Sequence, residues 1–187
     1  LKVWQLTPEL ALLAGVAVAV LLGLGIGALA IRRQGIYFAM ITLAMAQMVY
    51  FFSLQAPFTH GEDGIQGFSR GHLFGLIDLG DMMTMYFFLV VIFLGSLFAI
   101  WRIVHSPFGM ILQAIRENEA RAISLGYSVQ RYKLGAFVMS AGFAGLAGGL
   151  KALVFQFATL ADVSWQMSGE VILMVLLGGI GTMAGPI

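Results

Sequence analysis

Residues 102–133, RIVHSPFGMILQAIRENEARAISLGYSVQRYK, govern how the rest of the chain is read. The sequence on both sides is strongly apolar, whereas here Arg116, Glu117, Glu119 and Arg121 crowd together. Pro107 and Gly109 interrupt the apolar run that precedes them. From Phe108 onward, Ile111, Ile115, Ala122 and Leu125 recur close to the 3.6-residue helical period. That spacing predicts one short amphipathic helix, with Gln113, Arg116, Glu117 and Gln130 on its polar side and Gly126 as its stop. Such a helix is either a solvated interfacial segment or a docking element whose apolar stripe enters a groove on a soluble partner.

Composition explains why this segment stands out. The chain has 187 residues, 60% of them hydrophobic and 10% charged, against about 25% charged in an ordinary soluble domain. A water-soluble chain this apolar would expose large sticky patches. A formal net charge of +1 gives no basic footprint for nucleic acid. With no cysteine there are no disulfides, thiolate metal sites or cysteine nucleophiles. Twenty-four glycines suit membrane helices, where small residues let backbones approach closely.

A hydrocarbon core about 30 Å thick requires roughly 20 apolar residues in a helix. Five stretches are expected to cross or enter it: 8–30, 35–54, 82–101, 134–157 and 168–187. The expected fold is therefore an all-α polytopic bundle, one transmembrane domain over residues 1–187. Gly178, Gly179, Gly181, Gly185 and Pro186 predict a broken or re-entrant fifth helix. Lys and Arg distribute unevenly between the connections. Arg32 and Arg33 lie in the first; Arg102, Arg116, Arg121, Arg131 and Lys133 lie in or beside the third. The second has Arg70 against Glu62, Asp63, Asp78 and Asp81, and the fourth has no basic residue. The positive-inside rule then places residues 102–133 in the cytoplasm and residues 1–7 outside. The chain opens on Leu1 without a signal peptide and ends in an apolar run, so it is expected to be a fragment with further spans beyond it.

Other polar and small residues are candidates for packing or chemistry. His60, Glu62, Asp63, His72, Asp78 and Asp81 share one loop but lack metal-ligand spacing, so no metal site is expected. Lys151 falls within a span, where a lysine either serves function or snorkels to the interface. Glu170 is read as a carboxylate favoured by its helix dipole, and Gln47 and Gln156 as interhelical glue. Gly142, Gly145, Gly148 and Gly149 are predicted to share a face, with Gly145 and Gly149 forming a small-xxx-small pair. Gly23, Gly25 and Gly27 are less regular. Gly178-Gly179-Ile180-Gly181 lacks the Lys-Ser/Thr of a phosphate loop, so the chain is not itself an ATPase.

Four segments together resemble a known family. Ala114-Ile115-Arg116-Glu117-Asn118-Glu119, then Ala122 and Leu125-Gly126, resemble the cytoplasmic loop of ABC-importer permeases for branched-chain amino acids. Gly35-Ile36-Tyr37-Phe38-Ala39 with Ile41-Thr42-Leu43-Ala44, Gly61-Glu62-Asp63-Gly64-Ile65, and Gly178-Gly179-Ile180-Gly181-Thr182 with Gly185-Pro186 are similar to other family segments, in the same order. The resemblance implies a coupling helix in which Arg116, Glu117, Asn118, Glu119, Arg121, Leu125 and Gly126 meet an ATPase subunit. Gly145, Gly149, Lys151, Gly178, Gly179 and Gly181 are the expected packing or pathway residues. It implies no catalytic residue and no cofactor on this chain, with ATP and Mg on the partner ATPase. Implied partners are ABC ATPase subunits, a second permease subunit, an external solute-binding protein over the 56–81 loop, and the lipid bilayer of a bacterial inner membrane. Relatives with similar motifs carry urea or short amides, which is the alternative substrate class.

Two other classes fit the residues less well. A membrane enzyme needs converging polar groups at one depth, but His60, His72 and His105 fall in loops on opposite sides. An ion-coupled carrier needs midplane carboxylates, whereas Glu9 and Glu170 sit at span ends. Neither class explains the charged cytoplasmic helix.

Overall fold

In a computed structural model, the described residues are 7–56, 65–66, 72–73, 77–78 and 80–179. Helix α1 (Pro8–Ala30) starts on a proline, whose fixed φ and missing N–H suit a first turn. A short turn with Gly35 at φ 63° leads into α2 (Ile36–Gln55). That helix stops where Ala56, ahead of Pro57, turns extended at ψ 126°. Helix α3 (Met82–Val104) carries Asp81 at its N-cap, where the Thr84 hydroxyl donates to the Asp81 carboxylate at 3.1 Å.

The charged segment is folded rather than loop-like. Helix α3 runs beyond the expected 101 to Val104 and turns through Ser106-Pro107 into α4 (Pro107–Glu117). The turn is so tight that a Cβ on Gly109 would strike the Val104 carbonyl. A second short helix, α5 (Glu119–Ser124), precedes α6 (Val129–Phe155). One helix ending at Gly126 was the expectation; Asn118 instead leaves the helical region at φ −155°, ψ 97° and divides it in two.

Helix α6 begins at 129 rather than 134, because its first turns are polar helix that hydropathy does not mark. It ends at Gln156, which is left-handed at φ 58°. Phe157–Ala158 (β4) pair antiparallel with Ile65–Gln66 (β1), and His72–Leu73 (β2) with Ile77–Asp78 (β3). These two-residue pairings make no extended sheet. A one-turn 3-10 helix at Leu160–Val163 precedes α7 (Trp165–Gly178).

Four helices, α1, α2, α3 and α6, are each long and apolar enough to cross a bilayer. Helix α7 has 14 described residues, about 21 Å at the usual rise, short of a full crossing. Its last residue is Gly178, followed by Gly179 at φ 104°. Gly181 and the remaining 180–187 motif lie outside the described residues.

Among the described residues, Met85, Ile115, Ala122, Val129 and Leu153 are buried in two small clusters, with Pro8, Gly23, Gly27, Ala30 and Ala56 buried outside them. Met85 and Leu153 pack with Leu12, Phe88, Leu89 and Val154 at one end. Ile115, Ala122 and Val129 pack with Ile111 and Tyr132 at the other. Many of the other large apolar side chains point outward, as with Leu21 at 68% and Phe52 at 67% exposure. Outward-facing apolar helices are stable where lipid or neighbouring helices, rather than water, surround them.

Candidate functional site

Asn118 builds the site's hinge. Its carbonyl side chain accepts a bond from the Arg121 backbone N–H at 3.0 Å, capping α5 just where α4 has ended. Gly126, at φ 87°, closes α5. Its N–H donates to the Ile123 carbonyl at 2.9 Å and the Tyr127 N–H to the Ala122 carbonyl at 3.2 Å, the paired bonds of a Schellman stop. A non-glycine residue would be strained in that conformation.

The apolar stripe is used internally. Ile115 (6% exposed), Ala122 (2%) and Val129 (5%) close against one another, with Ile111 and Tyr132 around them. Phe108 and Tyr127 bring rings to 5.6 and 6.2 Å of the Tyr132 ring. Ile115 and Ala122 therefore seat α4 and α5 on the start of α6, so that part of the stripe is occupied within the chain. Leu125, expected in that stripe, is 69% exposed and points away from it.

The four charged residues divide in the same way. Glu119 faces inward: its Oε2 lies 2.8 Å from Lys133 Nζ on α6, and its Oε1 accepts from Gln34 Nε2 at 3.0 Å in the α1–α2 turn. Arg116, Glu117 and Arg121 are exposed, and among the described residues none forms an ion pair. Glu119 thus holds the hairpin to two other elements, while the other three present the outward polar face. The Gln34–Glu119 contact leaves no local pattern in the sequence, because 85 residues separate the two.

The glycine expectation is sharpened and partly corrected. Helices α1 and α6 run antiparallel in close contact. A Cβ on Gly145 would strike Ala19, and one on Gly23 would come within 2.5 Å of Ala141. Gly27 meets Phe137 at 2.8 Å, Gly149 meets Leu12 at 3.1 Å, and Gly142 meets Val20 at 3.2 Å by the same construction. Among the described residues, nothing lies within 4 Å of a Cβ built on Gly148, predicted on this face, or on Gly25. The missed signal is the four-residue ladder Gly15, Ala19, Gly23, Gly27, which lays small residues along one side of α1.

Lys151 has a partner that spacing did not suggest. Its Nζ lies 2.5 Å from Asp162 Oδ1 in the 3-10 helix beyond α6. Asp162 also accepts from the Thr159 N–H and hydroxyl, each at 3.3 Å, in a capping box. Partial burial works against the Asp162 charge, but the Lys151 hydrogen bond, the Thr159 bonds and the lysine's charge outweigh it and hold this carboxyl below its usual range. Lys151 therefore reaches toward the end of its helix and ties α6 to the approach of α7. The backbone of Gln156, a residue expected as glue between helices, forms the left-handed end of α6.

In the 56–81 loop, His60, Glu62 and Asp63 lie outside the described residues, and the backbone of His72 pairs with that of Asp78. Among the described residues no group of three or more metal-ligating side chains gathers.

Four membrane-length helices, a glycine-packed antiparallel pair and a charged helical hairpin at one end define a multi-pass helical membrane protein. The chain belongs to the branched-chain amino acid transport system permease component family, whose model matches residues 1–187. It is 31% identical over 202 aligned residues to the high-affinity branched-chain amino acid transport system permease protein LivM of Escherichia coli, covering 96% of this chain and 46% of that protein. The same protein of Salmonella typhimurium is 32% identical with the same coverage. A probable branched-chain amino acid transport permease protein LivM of Methanocaldococcus jannaschii is 27% identical over 65% of this chain and 36% of its own length. The chain thus spans about half the length (46%) of its bacterial relatives. No solved structure matches it.

Proposed function

We propose that this chain is part of the membrane-spanning permease subunit of an ATP-driven importer for branched-chain amino acids, with α4–α5 as its coupling element. In this reading residues 102–133 face the cytoplasm, and ATP and Mg are bound and used by a separate ATPase subunit. A second permease subunit and an external solute-binding protein complete the assembly. The substrate class follows the family and the printed names of the relatives.

The observation that carries the coupling role is the double tether of Glu119. A lever must hold its own shape, present a face to the moving partner and grip the parts it drives. The Asn118 and Gly126 caps and the Ile115–Ala122–Val129 cluster supply the shape. Arg116, Glu117 and Arg121 supply the exposed face. Glu119 grips Lys133 on α6 and Gln34 in the α1–α2 turn. Because α1 and α6 are interlocked by glycine contacts, a push on the hairpin moves them together.

The test is Glu117→Arg in the full-length permease, reconstituted with its ATPase and binding protein. Membrane insertion stays normal and ATP hydrolysis continues, but leucine uptake per ATP falls about tenfold or more, as expected when a buried interfacial charge contact worth roughly 1.4 kcal/mol or more is reversed. Normal uptake in that variant contradicts the proposal.

A further inference from the structure

A cavity of about 610 Å³ lies between the α1–α2 turn and helices α2, α4, α5 and α6. One wall is apolar, formed by Phe38, Leu112 and Phe137, with the Phe38 and Phe137 rings edge to face at 6.5 Å. The other carries Arg33, together with the Lys133–Glu119 pair. Across Ile31, which lines both spaces, a smaller cavity of about 200 Å³ carries Arg32 and Arg131. Among the described residues Glu119 is the one carboxylate lining either cavity, and both its oxygens are already engaged by Lys133 and Gln34. Arg32, Arg33 and Arg131 form no ion pair among the described residues. Cationic groups therefore sit at the polar ends of α1, α2 and α6, directly above an aromatic apolar recess.

We propose that this cavity binds an anionic glycerophospholipid, its phosphodiester held by Arg33 and its first acyl segment lying against Phe38 and Phe137. The observations favour a lipid because charge and apolar surface adjoin at a span end, the level where headgroup meets acyl chain. A basic pocket between transmembrane helices is a recognised form of headgroup site. Arginine also suits a phosphate better than lysine, through its forked donors. Arg32 and Arg131 add attraction from the far side of Ile31. The inference rests on the multi-pass membrane fold and not on the transport reading.

The experiment is native mass spectrometry of the full-length protein from mild detergent, with phosphatidylglycerol or phosphatidylcholine of matched chains added. The wild type retains phosphatidylglycerol in preference to phosphatidylcholine. Arg33→Gln lowers that retention about fivefold, the effect of about one basic residue at an anionic surface. Arg33→Gln with Arg131→Gln lowers it further, and Arg33→Lys, which keeps the charge but loses the forked contact, falls between the wild type and Arg33→Gln. Excess inorganic phosphate leaves retention unchanged, because the acyl segment supplies part of the contact. Equal retention of both lipids, no retention because protein fills the cavity, displacement by phosphate alone, or an unaltered Arg33→Gln variant each overturns the proposal. The wild-type lipid preference is decisive even if a variant fails to fold, and it is measured without any uptake assay.

Discussion

Glu119 Oε2 sits 2.8 Å from Lys133 Nζ, joining the first residue of α5 to the second turn of α6. Both side chains are about one-third exposed, so the pair contributes modestly to stability, on the order of 1 kcal/mol or less. Its consequence is mechanical. Glu119→Lys is expected to leave expression near normal while lowering coupled uptake several-fold. The exchange Glu119→Lys with Lys133→Glu restores most of it, measured as uptake per ATP hydrolysed. Failure of the exchange to recover any uptake would show that the pair's geometry is not what matters.

The α1–α6 seam predicts a graded packing series. Gly145→Leu forces a side chain into Ala19 and Gly23→Leu forces one into Ala141, each destabilising by about 1–3 kcal/mol. Gly148→Leu, at a position with open space on the same helix, has little effect. Denaturant titration in detergent micelles distinguishes them, and equal losses at positions 145 and 148 would argue against the seam.

Asn118 makes a local prediction. Asn118→Ala removes the α5 cap, at a typical expense of about 1 kcal/mol, and favours one continuous helix through 107–124. Spin labels at Met110 and Ile123, both exposed, should move to the longer separation of an unbroken helix. An unchanged distance would mean that packing around Ile115 and Ala122, not the cap, sets the bend.

Asp162 gives the pH dependence. Its carboxyl is held below the usual aspartate range by Lys151 and Thr159 despite partial desolvation. The folded state therefore binds that proton less readily than the unfolded chain does. The resulting stability is fully present above the unfolded value near about 3.9 and is lost as pH falls through the lower folded value. Asp162→Asn should flatten that acid limb and lower stability at neutral pH. An acid limb identical to wild type would remove Asp162 as its source.

The spans were legible because an apolar run long enough for a bilayer declares itself. The expected 8–30 coincides with α1. Where helix continued past the apolar boundary, hydropathy was silent. Helix α6 starts five residues before the expected 134, through Arg131 and Lys133. The division of α4 from α5 was hidden because Asn118 lies in a run of good helix formers, and only its capping bond reveals it. Gly148 and Gly149 look equivalent in sequence, but one residue is a 100° turn of the helix, enough to put one on the seam and the other outside it. Contacts such as Gln34–Glu119 and Lys151–Asp162 depend on where helices end and chains return, which no periodicity encodes.

The most direct test of the account asks what touches the α4–α5 face. The 187 residues contain no cysteine, so Glu117→Cys places one reactive group within this region of the full-length permease. Co-purified with its ATPase subunit and treated with a short thiol crosslinker, that variant should yield a permease–ATPase adduct whose amount changes with nucleotide. Met82→Cys, exposed at the opposite end of α3, should yield none. An adduct from Met82→Cys and none from Glu117→Cys would contradict the assignment of this hairpin as the coupling element.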